Sequence, residues 1–398
     1  MNGSRPSQPR LFTSAFICGC LGNAGMALLF FMYMSQIAGY AMRVLGASAE
    51  ASGILSGIFV IAAVFGRLAT GPLITAIGRR KALWVSLVLL LLAQAGYLIT
   101  GTYAGAGATR TLQGFAMGIA MTVLGAVTLG VAPQQRAGEA SGWFGAGLAV
   151  STGVGPLAGA WLVAHGGYRA IFVVGLVIAI VLFPLTWGAL KGIPVRRRGG
   201  RWMRPPLSLA TFVAPRAFPI AAVAMLPALG FAAALTYISD YASTIGLEKA
   251  GSLYFLAYAA VIIVARPLAG IAQDRWGNDP VIIPLLVCAI AGLLVTAWAP
   301  HATVLVLGGA LLGLGYGTLI SAGQAVAIKL VGPLNVGLAV GSFYVLVDSG
   351  TGLGPMVLSA AASTWGYRVM FVIAAIMAAG GLVLYIARVS DRARGSRA

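Results

Sequence analysis

Four ionisable side chains interrupt stretches that are otherwise apolar: Arg67, Arg110, Arg266 and Asp348. A charge held away from water is costly, so each needs a partner or a task. Asp348 is the natural proton carrier of the set, since burial favours the neutral carboxyl group and a nearby guanidinium favours the charged one. Movement between two such surroundings would couple protonation to a change of shape. Arg110 would bias that charge state or bind an anionic part of a ligand. The competing role for both is structural hydrogen bonding. Arg67 and Arg266 occupy matching positions near the ends of two apolar runs, where a long side chain snorkels or holds helix carbonyls. Asp240 lies at a boundary and is expected to be solvated.

Helical spacing places Arg110, Gln113 and Met117 on one face, Tyr344 with Asp348 on another, and Tyr254 with Tyr258 on a third. Together with Asn23, Phe30, Tyr237 and Gln324 they make a candidate substrate cavity, mainly apolar with a few polar anchors. Ordinary helix packing accounts equally well for each aromatic taken singly.

The elements that position these residues follow from composition. Of 398 residues, 60% are hydrophobic and 9% charged, against about 25% charged in a soluble chain. Runs of about 20 apolar residues, enough to cross roughly 30 Å of hydrocarbon as a helix, recur along the sequence. Twelve are expected, at 11–36, 51–75, 82–101, 104–131, 140–164, 169–190, 215–240, 250–272, 280–299, 302–328, 335–361 and 367–387. None alternates polar and apolar residues, so lipid leaves the helix as the spanning form. An all-α membrane protein of two pseudo-symmetric six-helix bundles is expected, with residues 1–190 as the first bundle, 191–214 as a basic cytoplasmic linker, and 215–398 as the second bundle and a basic tail.

The net charge of +18 follows loop side rather than a folded basic surface, so it reports topology and not nucleic-acid binding. Arg79, Arg80, Lys81, Arg196, Arg197, Arg198, Arg392, Arg394 and Arg397 fall on one side, and Arg43, Arg169, Lys249 and Arg368 on the other. The positive-inside rule then makes both termini and the linker cytoplasmic. Cys18, Cys20 and Cys288 sit in apolar runs as core thiols, and His165 and His301 in loops, with no metal-ligand spacing. No phosphate-binding loop and no nucleophile paired with a base is present, so neither an ATP-driven pump nor a membrane enzyme is supported, and no cofactor is expected.

An ungapped offset of 199 residues brings the halves into register. Arg67 meets Arg266, Gly71 meets Gly270, Gly153-Val-Gly155-Pro156 meets Gly352-Leu-Gly354-Pro355, and Gly167-Tyr168-Arg169 meets Gly366-Tyr367-Arg368. Even numbers of spans per half would relate the halves by an axis along the membrane normal. Unpaired positions stand out against this register: Arg110 faces Gly309, Asp348 faces Ala149, and Thr75 faces Asp274.

This arrangement resembles the major facilitator superfamily over nearly the whole chain. Gly71 to Gly78, Arg79, Arg80 and Lys81 looks like the family's loop motif, whose basic residues help close the cytoplasmic side. Thr75 and Ala76 depart from it, while Gly270, Asp274, Arg275 and Gly277 keep more of it. Arg110 to Gly118 is similar to the motif whose arginine is linked to proton coupling. Gly153 to Gly159 is similar to the exporters' glycine-proline motif, with Ser151 at a usual glycine. Because the step recurs at Gly354-Pro355, bending and close packing at Gly155-Pro156 are its simplest physical meaning.

Tyr237 to Tyr241, Arg266-Pro267, Asp274-Arg275 and Asp348 to Pro355 resemble bacterial drug and opine-type metallophore efflux permeases. The resemblance implies proton-coupled efflux of a small molecule by a monomer in a bacterial inner membrane, with uptake by symport as the alternative. A transport-inactive receptor or scaffold is the reading from a different class.

Overall fold

The computed structural model describes residues 11–133, 137–191, 214–332 and 336–390, and they are overwhelmingly helical. Nearly all of the expected linker, with Arg196, Arg197 and Arg198, and the tail residues Arg392, Arg394 and Arg397 lie outside the described residues.

In chain order the helices are α1 (Ser14–Met34), a short α2 (Ile37–Arg43), α3 (Ala49–Ile77), α4 (Arg79–Ile99), α5 (Tyr103–Gly130) and α6 (Ala137–Leu190). A single turn at Pro215–Ala217 leads into α7 (Phe218–Thr244), α8 (Glu248–Trp276), α9 (Asp279–Ala297), α10 (Ala302–Leu312), α11 (Thr318–Val331) and α12 (Val336–Arg388). Hydroxyls mark three of the starts. Thr13, Ser48 and Thr102 accept from the amides of Phe16, Ala51 and Gly105 at 3.1–3.2 Å, satisfying donors that a helix end leaves free.

Among the described residues, ten helical stretches are long and apolar enough to cross a membrane. Two of them, in α6 and α12, run to 48 and 50 residues. At 1.5 Å per residue each would exceed 70 Å if straight, about twice a hydrocarbon core. Each is broken where the sequence places Gly-Tyr-Arg. Gly167 (φ 65°) and Gly366 (φ 82°) take a left-handed conformation that side chains resist, and the chain turns back there.

The reversal shows in what each leg touches. Gly147 lies against Ala24 and Gly155 against Phe31, so the first leg of α6 follows α1. Gly175 meets Tyr33, and Gly188 meets Cys18, so the second leg runs back. In α12, Gly354 lies against Leu229, while Phe371 packs on Tyr241 and Gly381 on Val223, the same path along α7.

The apolar interior falls into two main clusters. One joins α1 to α6 around Leu83, Leu87, Met117 and Leu124; the other joins α7 to α12 around Leu229, Leu286, Leu312 and Phe371, with Phe31, Met34, Ala38 and Ala149 reaching into it from the first half. Two cores with a thin shared edge suit two bodies that move relative to each other. A further asymmetry lies between α10 and α11, where Gly313–Gly317 forms a π-helical turn. Its counterpart at the 199-residue offset, Gly114 to Gly118, stays α-helical within α5.

Candidate functional site

The halves meet along two seams, α3 against α12 and α6 against α8. They are built alike at first. In one, Gly352 lies against Gly57 and Val60; in the other, Gly153 lies against Leu256 and Ala259, the partners the 199-residue register predicts. The small residues let backbones approach closely, which is how helices associate in lipid. The α3/α12 seam is the tighter, since a Cβ on Gly53 or Gly57 would run into the carbonyls of Pro355 or Gly352. Towards the Gly167 and Gly366 end, Ser363 donates to Glu50, Tyr237 Oη lies 3.5 Å from both Ser52 Oγ and Pro355 O, and Arg43 Nη2 meets Asp240 Oδ1 at 2.6 Å. Asp240, expected to be solvated, is buried and paired across the halves.

Deeper in the same seam, Arg67 of α3 forms an ion pair with Asp348 of α12. This corrects the expectation for Arg67, which spans the halves rather than snorkelling. It also gives Asp348 a partner other than Arg110. The two side chains keep 30% and 19% of their surface exposed, so the pair is reachable from solvent or a cavity. Tyr344, one turn before Asp348, lies within electrostatic range of Arg67 and Arg266 and donates to Gln324 at 3.2 Å. In the other seam Arg266 faces no carboxylate among the described side chains. Its Nε and Nη2 both donate to Gly317 O, at 3.1 and 3.0 Å, holding a carbonyl of the π turn as the sequence suggested it would hold a helix carbonyl.

Arg110 occupies a different place, inside the first half. Its side chain is fully buried. Nη1 donates to Gln113 Oε1 at 2.9 Å, Nη2 reaches Met34 Sδ at 3.5 Å, and the guanidinium sits 4.5 Å from the centre of the Phe59 ring. Tyr97 donates to the same Gln113 Oε1 at 3.0 Å, and its ring packs 5.1 Å from Tyr33, which donates to Gln94 Oε1 at 2.6 Å.

The remaining candidates divide. Gln324 and Tyr344 join the seam cluster, Gln113 joins Arg110, and Phe30 packs on Phe59 beside it at 5.2 Å. Tyr237 belongs to the seam closure. Met117 is buried in the first core, Tyr254 bonds Thr296 at 3.1 Å, and Tyr258 stacks on Phe231 at 5.2 Å, all consistent with packing. Asn23 ties α1 to α6 through Phe144 O at 3.1 Å.

In the loop motifs, Gly78 (φ 83°) and Gly277 (φ 88°) end α3 and α8, and Arg79, Arg80 and Arg275 are exposed beside them; Gly71 and Gly270 lie within the helices before them. The Asp274 side chain lies outside the described residues. Gly155-Pro156 and Gly354-Pro355 lie within helices, against α1 and α7. Sequence reasoning missed Gln273, whose amide donates to Asn278 Oδ1 and Ala322 O at 2.9 and 3.2 Å, fastening the turn after α8 to α11.

The sequence profile described as Major Facilitator Superfamily matches residues 19–302 and 220–398, which together take in nearly the whole chain. The chain belongs to the Major Facilitator Superfamily. Members of this superfamily are transporters and not enzymes. An uncharacterized MFS-type transporter of Pseudomonas aeruginosa is 33% identical over 162 residues, 41% of this chain and 40% of the relative. One from Burkholderia mallei is 29% identical over 177 residues, 44% and 42% of the two chains. The match therefore spans about two fifths of either relative. Among solved structures, a mutant of the nucleoside transporter NupG superposes with TM-score 0.75 at 14% identity, covering 94% of this chain and all of that one. A bacterial homolog of the human lysosomal transporter Spinster, inward-facing and occupied, gives 0.75 at 14%, covering 96% and 97%. The human organic anion transporter MFSD10 gives 0.66 at 15%, covering 95% and 100%. At these identities the likeness is one of fold.

Proposed function

We propose that the chain is a secondary transporter that moves a small molecule by alternating access, with proton exchange at Asp348 coupled to parting of the α3/α12 seam. The observation that carries this reading is the Arg67–Asp348 ion pair, the one charged link deep in the seam among the described residues. Protonating Asp348 removes its charge and with it the attraction to Arg67. Breaking a fully buried pair on one side changes stability by about 3–5 kcal/mol, and this partly exposed pair by less. A differential of about 5.5 kcal/mol turns a two-state equilibrium from 1:99 to 99:1, so one proton supplies part of the required bias.

In this reading the helix legs make twelve crossings in two six-helix bundles divided by the 191–214 linker. The basic face at Gly78, Arg79 and Arg80 is cytoplasmic in a bacterial inner membrane. The seam closure at Arg43–Asp240 then seals the outer side, and the protein stands open inward. The cargo leaves the cell in exchange for protons and is drug-like or metallophore-like, as the glycine-proline step and the efflux-permease resemblance suggest. The protein works as a monomer without a cofactor.

The test uses purified protein in liposomes with imposed pH and sodium gradients, scored for uptake and release over chemically diverse solutes. Release driven by an inward proton gradient is expected, with coupling lost and gradient-free exchange retained in Asp348→Asn. Full pH-gradient coupling in Asp348→Asn overturns the proton assignment. Gradient-driven uptake assigns symport instead.

A further inference from the structure

We infer that the Arg110 cluster is a binding site for a carboxylate group of the cargo. This rests on the transport reading and gives its cargo a charge. Three donors of the cluster are buried without a hydrogen-bond partner: Arg110 Nε, Gln113 Nε2 and Gln94 Nε2. The side chains that carry them are completely covered. Buried donors are nearly always paired, so donors left over around one cation indicate a missing acceptor. The amide orientation of Gln113 is fixed by its neighbours, because Arg110 and Tyr97 both donate to its oxygen; turning the amide would set donors against donors. Its nitrogen is therefore the free end.

No acid of the chain supplies the acceptor among the described side chains. Asp240 is taken by Arg43, Asp348 by Arg67 and Glu50 by Ser363. Around its charge Arg110 has a sulfur, an amide oxygen, the Phe59 ring and the Tyr97 and Tyr33 side chains, all of them neutral groups.

The chemistry that completes this set is a carboxylate. Arginine pairs with it in a planar, charge-assisted geometry, and an adjacent amide N–H serves a second oxygen lone pair. Around the donors stand Phe59, Tyr33 and Tyr97, with Phe172 stacked on Tyr97 at 5.0 Å. That wall suits an apolar or aromatic body behind the carboxylate better than a bare hydrated ion. The cluster is occluded in this state, so the ligand enters when the halves move.

Binding is measured apart from transport, so the two readings fail separately. Thermal unfolding of the full chain in detergent, in a buffer of bulky sulfonates, is followed with benzoate, neutral benzamide and chloride. Benzoate is expected to raise the unfolding temperature, and benzamide and chloride to have little effect. Gln113→Glu places an internal carboxylate beside Arg110 with almost no change of shape. It is expected to stabilise the free protein and weaken benzoate binding about ten- to a hundredfold, the worth of a charge-assisted hydrogen bond. Arg110→Met is expected to lose the benzoate response, and Arg266→Gln in the other half to keep it. The inference is overturned if benzamide matches benzoate, if chloride alone produces the full shift, if Gln113→Glu still responds as the native protein does, or if Arg266→Gln abolishes the response.

Discussion

The two seams between the halves start from one design and end in different chemistry. In both, a glycine of the glycine-proline leg packs on the same register position of the facing helix, Gly352 on Val60 and Gly153 on Ala259. Seven residues further along the facing helices, counted from Val60 and Ala259, stand Arg67 and Arg266. Arg67 meets Asp348 across the seam; Arg266 has Ala149 at the matching position and turns into its own half to hold Gly317 O. Small-residue packing is insensitive to pH, whereas an ion pair is not. In the proposed mechanism the α3/α12 seam is thus the one a proton would loosen, and α6/α8 the neutral contact about which the halves would rock.

The largest effect is expected from orphaning Asp348. Arg67→Met should cost on the order of 3 kcal/mol in reversible unfolding, because it leaves a carboxylate with no partner. Arg67→Met with Asp348→Leu should recover most of that loss. Arg266→Met removes bonds to a neutral carbonyl and should cost only about 1–1.5 kcal/mol. Equal costs for the two arginines would dissolve the contrast between the seams.

A smaller effect separates them sterically. Gly57→Val pushes a side chain against Gly352 O and Met356, and should favour the parted state by about 1–3 kcal/mol, read as faster labelling of a cysteine placed at Ser52. Gly153→Val, which meets a side-chain methyl first, should do less. The smallest effect belongs to Arg43–Asp240. With Arg43 57% exposed, Arg43→Gln should cost under about 1 kcal/mol and the difference should shrink in high salt.

Much of the frame was legible in the sequence. Apolar run lengths marked the helices, and the 199-residue register marked matching contacts that the structure places at Gly352 and Gly153. The Gly-Tyr-Arg repeats mark both chain reversals, because a positive φ favours glycine.

The site was legible in its residue types and less so in its pairings. Helical spacing puts Arg110 and Gln113 on one face, and they do bond. Arg67 was misread because a span's own sequence does not reveal which helix of the other half lies alongside. Asp240 was misread for the same reason. Tyr254 and Tyr258 show the converse limit, since an aromatic stripe at helical spacing looks alike whether it lines a cavity or fills a core. The π turn was not specified by the pattern: Gly313 to Gly317 carries one more glycine, Gly315, than the α-helical Gly114 to Gly118, and an extra glycine does not by itself name a π turn.

The central claim, that the charge on Asp348 sets the pH dependence of the seam, is tested most directly by distance. Spin labels at Val44 and Thr364 span the charged seam, and labels at His165 and Lys249 span the neutral one; all four positions are exposed. As pH falls, the populations of both pairs should shift to longer distances in the native protein, because the halves rock together. In Asp348→Asn both should favour the parted state by an amount that no longer changes with pH. Distances in Asp348→Asn that still follow pH as the native ones do would contradict the account.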